Sequence, residues 1–240
     1  LTTEAGAVRR FFDSYWEHKR MRRLDSTASF ARSATFKAYS LVSDGRGKRF
    51  LEIGPGEGID LEGLSRLGAR VAGIDLSRVG LSIAGSRCPH CDLLVMDGAT
   101  MGFGDSVFDV VFSRTLLMHV GKEPFLRECR RVLRPGGRAV FIEPLRSNPF
   151  VIPYRAAISS GRRIAPEYLG NRDVNDMRRI FSSVSVWHFY LLSVIAAPFV
   201  SLVPRARSLF LPLEWLDRAL LFAVPFLRSF CWISVIECTR

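Results

Sequence analysis

Leu51-Glu52-Ile53-Gly54-Pro55-Gly56-Glu57-Gly58 is the stretch that decides the fold. Arg49 to Ile53 reads as a short apolar strand, and three glycines follow it at alternate positions. A helix over about 59–67 comes next. Glycines at the carboxyl end of a first strand let a ligand approach the backbone, and the helix behind them offers free N–H groups. The spacing is G-x-G-x-G. The dinucleotide pattern G-x-G-x-x-G needs glycine where Ile59 stands, which counts against a dehydrogenase.

Outward from this loop the pattern repeats. Arg70–Ile74 is a second strand, and a helix over roughly 77–86 leads to a third, Leu93–Met96. Phe108–Phe112 is a fourth. Pro124 stands where a helix begins, and Phe125, Leu126, Cys129, Val132 and Leu133 give that helix one apolar face. Arg134-Pro135-Gly136-Gly137 stops it before a fifth strand, Arg138–Ile142. Strands separated by helical crossovers predict a parallel, doubly wound sheet. Residues 1–48 read as helices and turns, with Val8, Phe11, Phe12, Tyr15 and Trp16 at helical spacing. The predicted organisation is one domain over 1–240: an N-terminal helical lid (1–48), a cofactor-binding core (49–144) and a substrate-side region (145–240).

Two acids stand at strand ends. Asp75 follows Gly54 by 21 positions and closes the second strand, where a carboxylate accepts hydrogen bonds from ribose hydroxyls. Asp97 closes the third, where a carboxylate accepts from an exocyclic adenine amine. Three signals at three consecutive strand ends mark the crevice in which open α/β sheets bind ligands.

In order, LEIGPGEG, VAGIDLS, MDGATMGF, FDVVFS and RVLRPGGRAVFIEP resemble the class I S-adenosylmethionine-dependent methyltransferases, nearest the branch acting on quinones and other small molecules. The resemblance covers about 49–144 and implies a Rossmann-like, mostly parallel seven-stranded α/β sheet with helices on both faces. By it, Glu52, Gly54 and Gly56 line the methionine end of S-adenosyl-L-methionine. Asp75 holds the ribose, Leu76 packs on the adenine, Asp97 and Gly98 read the adenine edge, and Ser113 lies beneath the sulfonium. The family often has a histidine where His119 stands, which makes His119 the first catalytic candidate. Glu143, ending the fifth strand, is the second; its other reading is an acceptor for backbone N–H groups of the next loop. A sulfonium is already a strong electrophile, so such catalysis is mainly alignment, with a base needed only for a poorly ionised acceptor.

Composition sets the remaining bounds. Of 240 residues 48% are hydrophobic, which excludes an extended disordered chain. The net charge of +11 attracts anionic lipid, nucleic acid or acidic substrates without choosing among them. The basic cluster at Lys19, Arg20, Arg22 and Arg23 reads as a solvated helix face, and no RNA-recognition or finger spacing accompanies it. Five cysteines suit reduced thiols and a cytoplasmic location. Cys88-Pro89-His90-Cys91 has metal-like spacing, but no second pair follows and Pro89 favours a turn, so no metal is expected. Arg9, Arg10 and nearby acids interrupt any apolar N-terminal run, so no signal peptide is expected.

The last third is less regular. Residues 145–180 read as a mobile insertion rich in arginine. Ile180–Pro204 then runs 25 residues without Lys, Arg, Asp or Glu, above the ~20 a spanning helix needs. Its β-rich start, and the two closing strands the resemblance implies near 184–192 and 230–238, favour sheet completion over spanning helices. That leaves an apolar connection over 194–228, including Phe199, Leu202, Leu209, Phe210 and Trp215, in which Pro212 starts a helix with a narrow polar stripe of Glu214, Asp217 and Arg218. Tyr15, Trp16, Tyr154 and Trp215 are the predicted substrate walls. The expected activity is methyl transfer to a hydrophobic small molecule (quinone, prenylated, polyketide or lipid-like), at the periphery of an anionic membrane surface, with a homo-oligomer among the expected partners. A membrane-associated cofactor-binding protein without catalysis and a nucleic-acid methyltransferase stay open as alternatives; against the second, Ser113-Arg114-Thr115-Leu116 is not an N-P-P-Y-type motif.

Overall fold

The computed structural model describes residues 3–22, 31–159, 166–196 and 207–240. The strands are β1 (Arg49–Ile53), β2 (Arg70–Asp75), β3 (Asp92–Val95), β4 (Phe108–Arg114), β5 (Leu133–Pro144), β6 (Ser183–Phe189) and β7 (Ile233–Thr239). They form one sheet in the order β3-β2-β1-β4-β5-β7-β6. β7 runs antiparallel to both β5 and β6, and the other pairs are parallel. The doubly wound sheet and its closing strand pair are those the sequence led us to expect.

Alternation along the strands explains why both faces are covered. Phe50, Val110, Phe112, Val140 and Val235 point to one side, while Leu51, Val111, Phe141 and Ile236 point to the other. The period of two puts a full apolar set on each face, so neither side tolerates water. On the first side pack α2 (Arg32–Ser40), α3 (Ile59–Ser65) and α4 (Arg78–Arg87), through Ala34, Ala38, Leu61, Leu64 and Ala84. On the second packs α5 (Lys122–Val132), whose Phe125, Leu126, Cys129 and Val132 are all buried at the predicted helical spacing. Each fully buried Leu or Phe contributes about 1.5–3 kcal/mol. Ser77 caps α4, accepting the Gly80 N–H at 3.0 Å. A long helix, α1 (Thr3–Arg22), lies against α4, where Asp13 accepts from the Ser77 hydroxyl at 2.5 Å. The side chains of Lys19, Arg20 and Arg22 are outside the description, as is Arg23.

The loop after β1 is wound as its glycines require. Gly58 has φ +74°, and a Cβ built on it would lie 2.8 Å from the Ala84 Cα of α4. Gly58→Ala therefore meets a left-handed penalty of about 1–2 kcal/mol and a helix backbone that cannot step aside. We expect a loss of about 2–3 kcal/mol, seen as a melting midpoint lowered by roughly 5–10 °C. An unchanged midpoint would contradict the close packing of this loop.

Several expectations need correction. The segment after β5 is not an irregular insertion throughout: α6 (Ile152–Ser159) and α7 (Asn171–Ile180) form, and Asp173 accepts the Gly170 N–H at 2.7 Å to start α7. Pro212 does not begin a helix but lies inside α8 (Arg207–Ala223). Cys88 and Cys91 are joined as a disulfide rather than free, while Cys129, Cys231 and Cys238 are free and buried. Among the described residues no helix is long and apolar enough to cross a membrane. Phe199 and Leu202 lie outside the described residues, and nothing is described of the side chains of Leu209 and Phe210.

The two acids of the α8 stripe turn inward, while Arg218 stays exposed. Asp217, buried, accepts the N–H groups of Leu191, Leu192 and Ser193 and the Ser193 hydroxyl at 2.6 to 3.2 Å. Glu214 accepts from the Ser33 hydroxyl at 2.9 and 3.0 Å. With these carboxylates holding the helix down, Leu211, Trp215 and Phe222 are left on the outside, Phe222 at 87% exposure.

Candidate active site

At the carboxyl ends of β1, β2, β3 and β4, beneath α1, the chain forms a cleft of about 380 Å³. Its lining includes Glu52, Gly54, Gly56, Asp75, Leu76, Asp97 and Gly98, so the loops after three strands converge as their sequences suggested. Tyr15, Trp16 and His119 line it too. Trp16 roofs the glycine loop: a Cβ at Gly56, where φ is +52°, would come within 2.7 Å of its ring. Gly98 is less tight but still crowded, with Ile53 and Phe125 each 3.0 Å from a Cβ placed there.

The floor is acidic. Glu52 is buried, and its Oε2 has no hydrogen-bond partner among the described residues. Burial, with Asp60 and Asp75 adding repulsion, holds its carboxyl well above the usual carboxylate range. Burial likewise pushes Asp75 up to about 6, although it accepts the Ser77 N–H at 2.8 Å. Asp97 turns one oxygen onto the Ala99 N–H at 2.9 Å and lines the cavity beside Gly98. A buried carboxylate oxygen without a partner, next to other acids, is costly unless a cationic donor arrives. These carboxylates are acceptors of the kind that the ammonium and ribose hydroxyls of S-adenosyl-L-methionine need, so the residues present fit that cofactor.

Two groups here went unnoticed in the sequence. Asp60, at the start of α3, and Arg114, at the end of β4, form a two-pronged ion pair at 2.5 and 2.8 Å. The Tyr39 hydroxyl donates to Asp60 at 2.9 Å and Arg114 donates to Thr35 at 3.0 Å, which ties α2 to the cavity wall. A charge closing an otherwise apolar strand is a signal of pairing, since it is buried only at a cost unless matched. The next residue, Thr115, has φ +57° and also lines the cavity. A non-glycine residue held there is backbone strain at a candidate site.

Other predicted residues fall elsewhere. Ser113 is buried beside Ile53 without lining the cavity, and its Oγ has no partner among the described residues. Glu143 is buried and absent from the lining: its Oε1 accepts the Leu116 and Leu117 N–H groups at 2.8 and 3.0 Å. It therefore braces the turn that carries His119, and burial raises its carboxyl to about 8. His119 meets the Phe12 ring edge-on at 5.1 Å. Tyr154 and Trp215 are 65% and 69% exposed and lie away from the cavity, Trp215 because α8 is pinned by its opposite side.

Residues 51–141 match the family model described as "Methyltransferase domain". A demethylmenaquinone methyltransferase of Tropheryma whipplei is 31% identical over 137 residues, 55% of this chain and 57% of the relative. A ubiquinone biosynthesis O-methyltransferase of Nitrosococcus oceani is 37% identical over 111 residues, 43% of this chain and 46% of the relative. The chain thus spans about half the length of these relatives. Among solved structures, geranyl diphosphate C-methyltransferase of Streptomyces coelicolor superposes with a TM-score of 0.64 at 14% identity, over 100% of this chain and 98% of that one. Phosphoethanolamine N-methyltransferase 2 of Haemonchus contortus gives 0.58 at 16%, over 85% and 52%. At such identities the likeness is one of fold.

Proposed function

We propose that this chain, whose residues 51–141 match the methyltransferase domain model, moves the methyl group of S-adenosyl-L-methionine to a hydrophobic small molecule. The observation that carries the reading is the cavity in which Glu52, Asp75 and Asp97 converge from three strand ends beneath an aromatic helix. When bound, the cofactor supplies an electrophilic methyl group, and the chain needs only to bind, orient and exclude water. Glu52 meets the cationic end, Asp75 the ribose, and Asp97 with the Gly98 backbone the adenine edge. Phe11, Phe12, Tyr15, Met118 and Val120 form the apolar part of the wall and suit an apolar acceptor. The quinone methyltransferases among the relatives support that class.

The acceptor class is tested by offering prenylated phenols or quinols against polar amines with the same labelled cofactor. Label entering only the amines would overturn the apolar assignment. His119 is the polar group we place beside the acceptor, with Glu143 bracing its turn. His119→Ala should then lower turnover about tenfold, one hydrogen bond's worth at the reacting group, with cofactor affinity unchanged. Full turnover in that variant would leave His119 structural.

The outward side of α8 supports a peripheral membrane site. Trp215 and Phe222, with Phe226 beyond the helix, stand beside the exposed Arg218 and Arg228, a pairing suited to an anionic bilayer interface. The chain should sediment with anionic vesicles, and added salt or a Phe222→Ser, Phe226→Ser double substitution should release it. Equal binding to neutral vesicles, or none at low salt, would contradict this.

A further inference from the structure

Cys88-Pro89-His90-Cys91 is the one conspicuous motif that the cavity does not use. It joins the end of α4 to the start of β3, a strand at the edge of the sheet, and so lies at the opposite end of the strands from the cavity. Its burial is graded: Cys88 is fully buried, Cys91 half-buried and His90 exposed. Even so, the imidazole turns back onto the loop. His90 Nε2 lies 3.5 Å from Cys88 Sγ and 3.2 Å from the Ser65 hydroxyl of α3, and all three donor atoms of the motif fall within 4.8 Å of one another. A solvent-facing histidine gains little from folding over a sulfur, and a bound cation would take Nε2 from the Ser65 hydroxyl.

We propose that the reduced loop is a binding site for a borderline-soft divalent cation, zinc first, held by Cys88 Sγ, Cys91 Sγ and His90 Nε2, and that the Cys88–Cys91 disulfide is the closed form of the same site. Two thiolates and an imidazole are the donors such an ion prefers over magnesium or calcium. The exposed side of His90 leaves a fourth position for water. A thiolate at the end of α4 gains nothing from the helix dipole, which is negative there, so the ion itself ionises Cys88. Opening the site takes two electrons and two protons. A dithiol breaks the Cys88–Cys91 S–S bond and becomes its own disulfide, leaving two cysteine thiols. The cation then displaces one proton from each thiol and accepts the lone pair of the neutral imidazole. Once bound, it ties α4 to β3.

The full chain, reduced with a dithiol that is then removed without air, is titrated with cobalt(II) as an optical stand-in for zinc. We expect a thiolate-to-cobalt charge-transfer band that saturates at one equivalent and is bleached by zinc. The oxidised chain should give no band. Cys91→Ser, at a half-buried position that keeps the fold, should abolish it, and His90→Ala should weaken binding about tenfold or more. Zinc should also raise the melting midpoint of the reduced chain and not that of Cys91→Ser. Cys129, Cys231 and Cys238 remain in every variant. A reduced chain without the band, a band that survives Cys91→Ser, or a loop that dithiol cannot open would each overturn the proposal.

Discussion

Arg114→Met is expected to lower stability by about 3–5 kcal/mol, because it leaves Asp60 buried without its cation. The pair is well shielded: the side chains are 20% and 6% exposed, and both prongs are short. Methionine fills much of the volume but offers no donor, and the Tyr39 hydroxyl alone cannot neutralise a carboxylate. In a chain of this size that loss lowers the melting midpoint by roughly 6–20 °C. Adding Asp60→Asn to Arg114→Met should restore a substantial part of it, since the remaining amide is neutral. A single variant as stable as the wild type, or a double variant no better than the single, would show that the pair does not hold α2 to the cavity wall.

Asp75→Ala should weaken cofactor binding ten- to a hundredfold with the fold retained, at about 1.5–3 kcal/mol for a charge-assisted bond. Burial already disfavours the charge on Asp75, whose carboxyl is raised to about 6. A ligand whose hydroxyls donate to the ionised form must therefore bind more weakly as the pH falls through 6, approaching about tenfold per pH unit well below it. Above pH 7 the wild-type affinity should be flat in this respect, and Asp75→Ala should lack the acid limb attributable to this residue. Calorimetry with S-adenosylhomocysteine between pH 5 and 8 checks both statements. Equal affinity for wild type and variant at pH 7.5 would remove Asp75 from the site.

The region around the glycine loop was legible because each signal there is local. Gly54, Gly56 and Gly58 turn the chain with positive φ, Asp75 ends the apolar strand β2, and Asp97 follows β3 by two residues. The Asp60–Arg114 pair was not legible, since its members are 54 residues apart and meet only because β1 and β4 are neighbours in the sheet. Glu143 was readable in both of its guises; only the turn geometry at Leu116 and Leu117 assigns it to the backbone.

The last third failed differently. An apolar run shows that something must be covered without saying which side faces the core. In α8 the inward side was chosen by Asp217, which gathers three backbone N–H groups and a hydroxyl from the loop after β6. A hydropathy pattern expects the apolar stripe inside and the acids outside. Here Glu214 and Asp217 face inward beside Leu220 and Leu221, which removed Trp215 from the cavity and placed it on the surface. Pro212 misled in the same segment: its ring suits a first turn, yet the helix starts before it.

The central claim is that this cavity delivers a methyl group. The most direct measurement supplies the purified chain with methyl-labelled S-adenosyl-L-methionine and a cell extract, then follows the label into organic-extractable products. The account predicts a labelled apolar product whose formation requires the active chain and falls sharply with Asp75→Ala at subsaturating cofactor. Extracts that yield no labelled product, while the chain binds S-adenosylhomocysteine normally, would contradict methyl transfer and leave a cofactor-binding protein without catalysis.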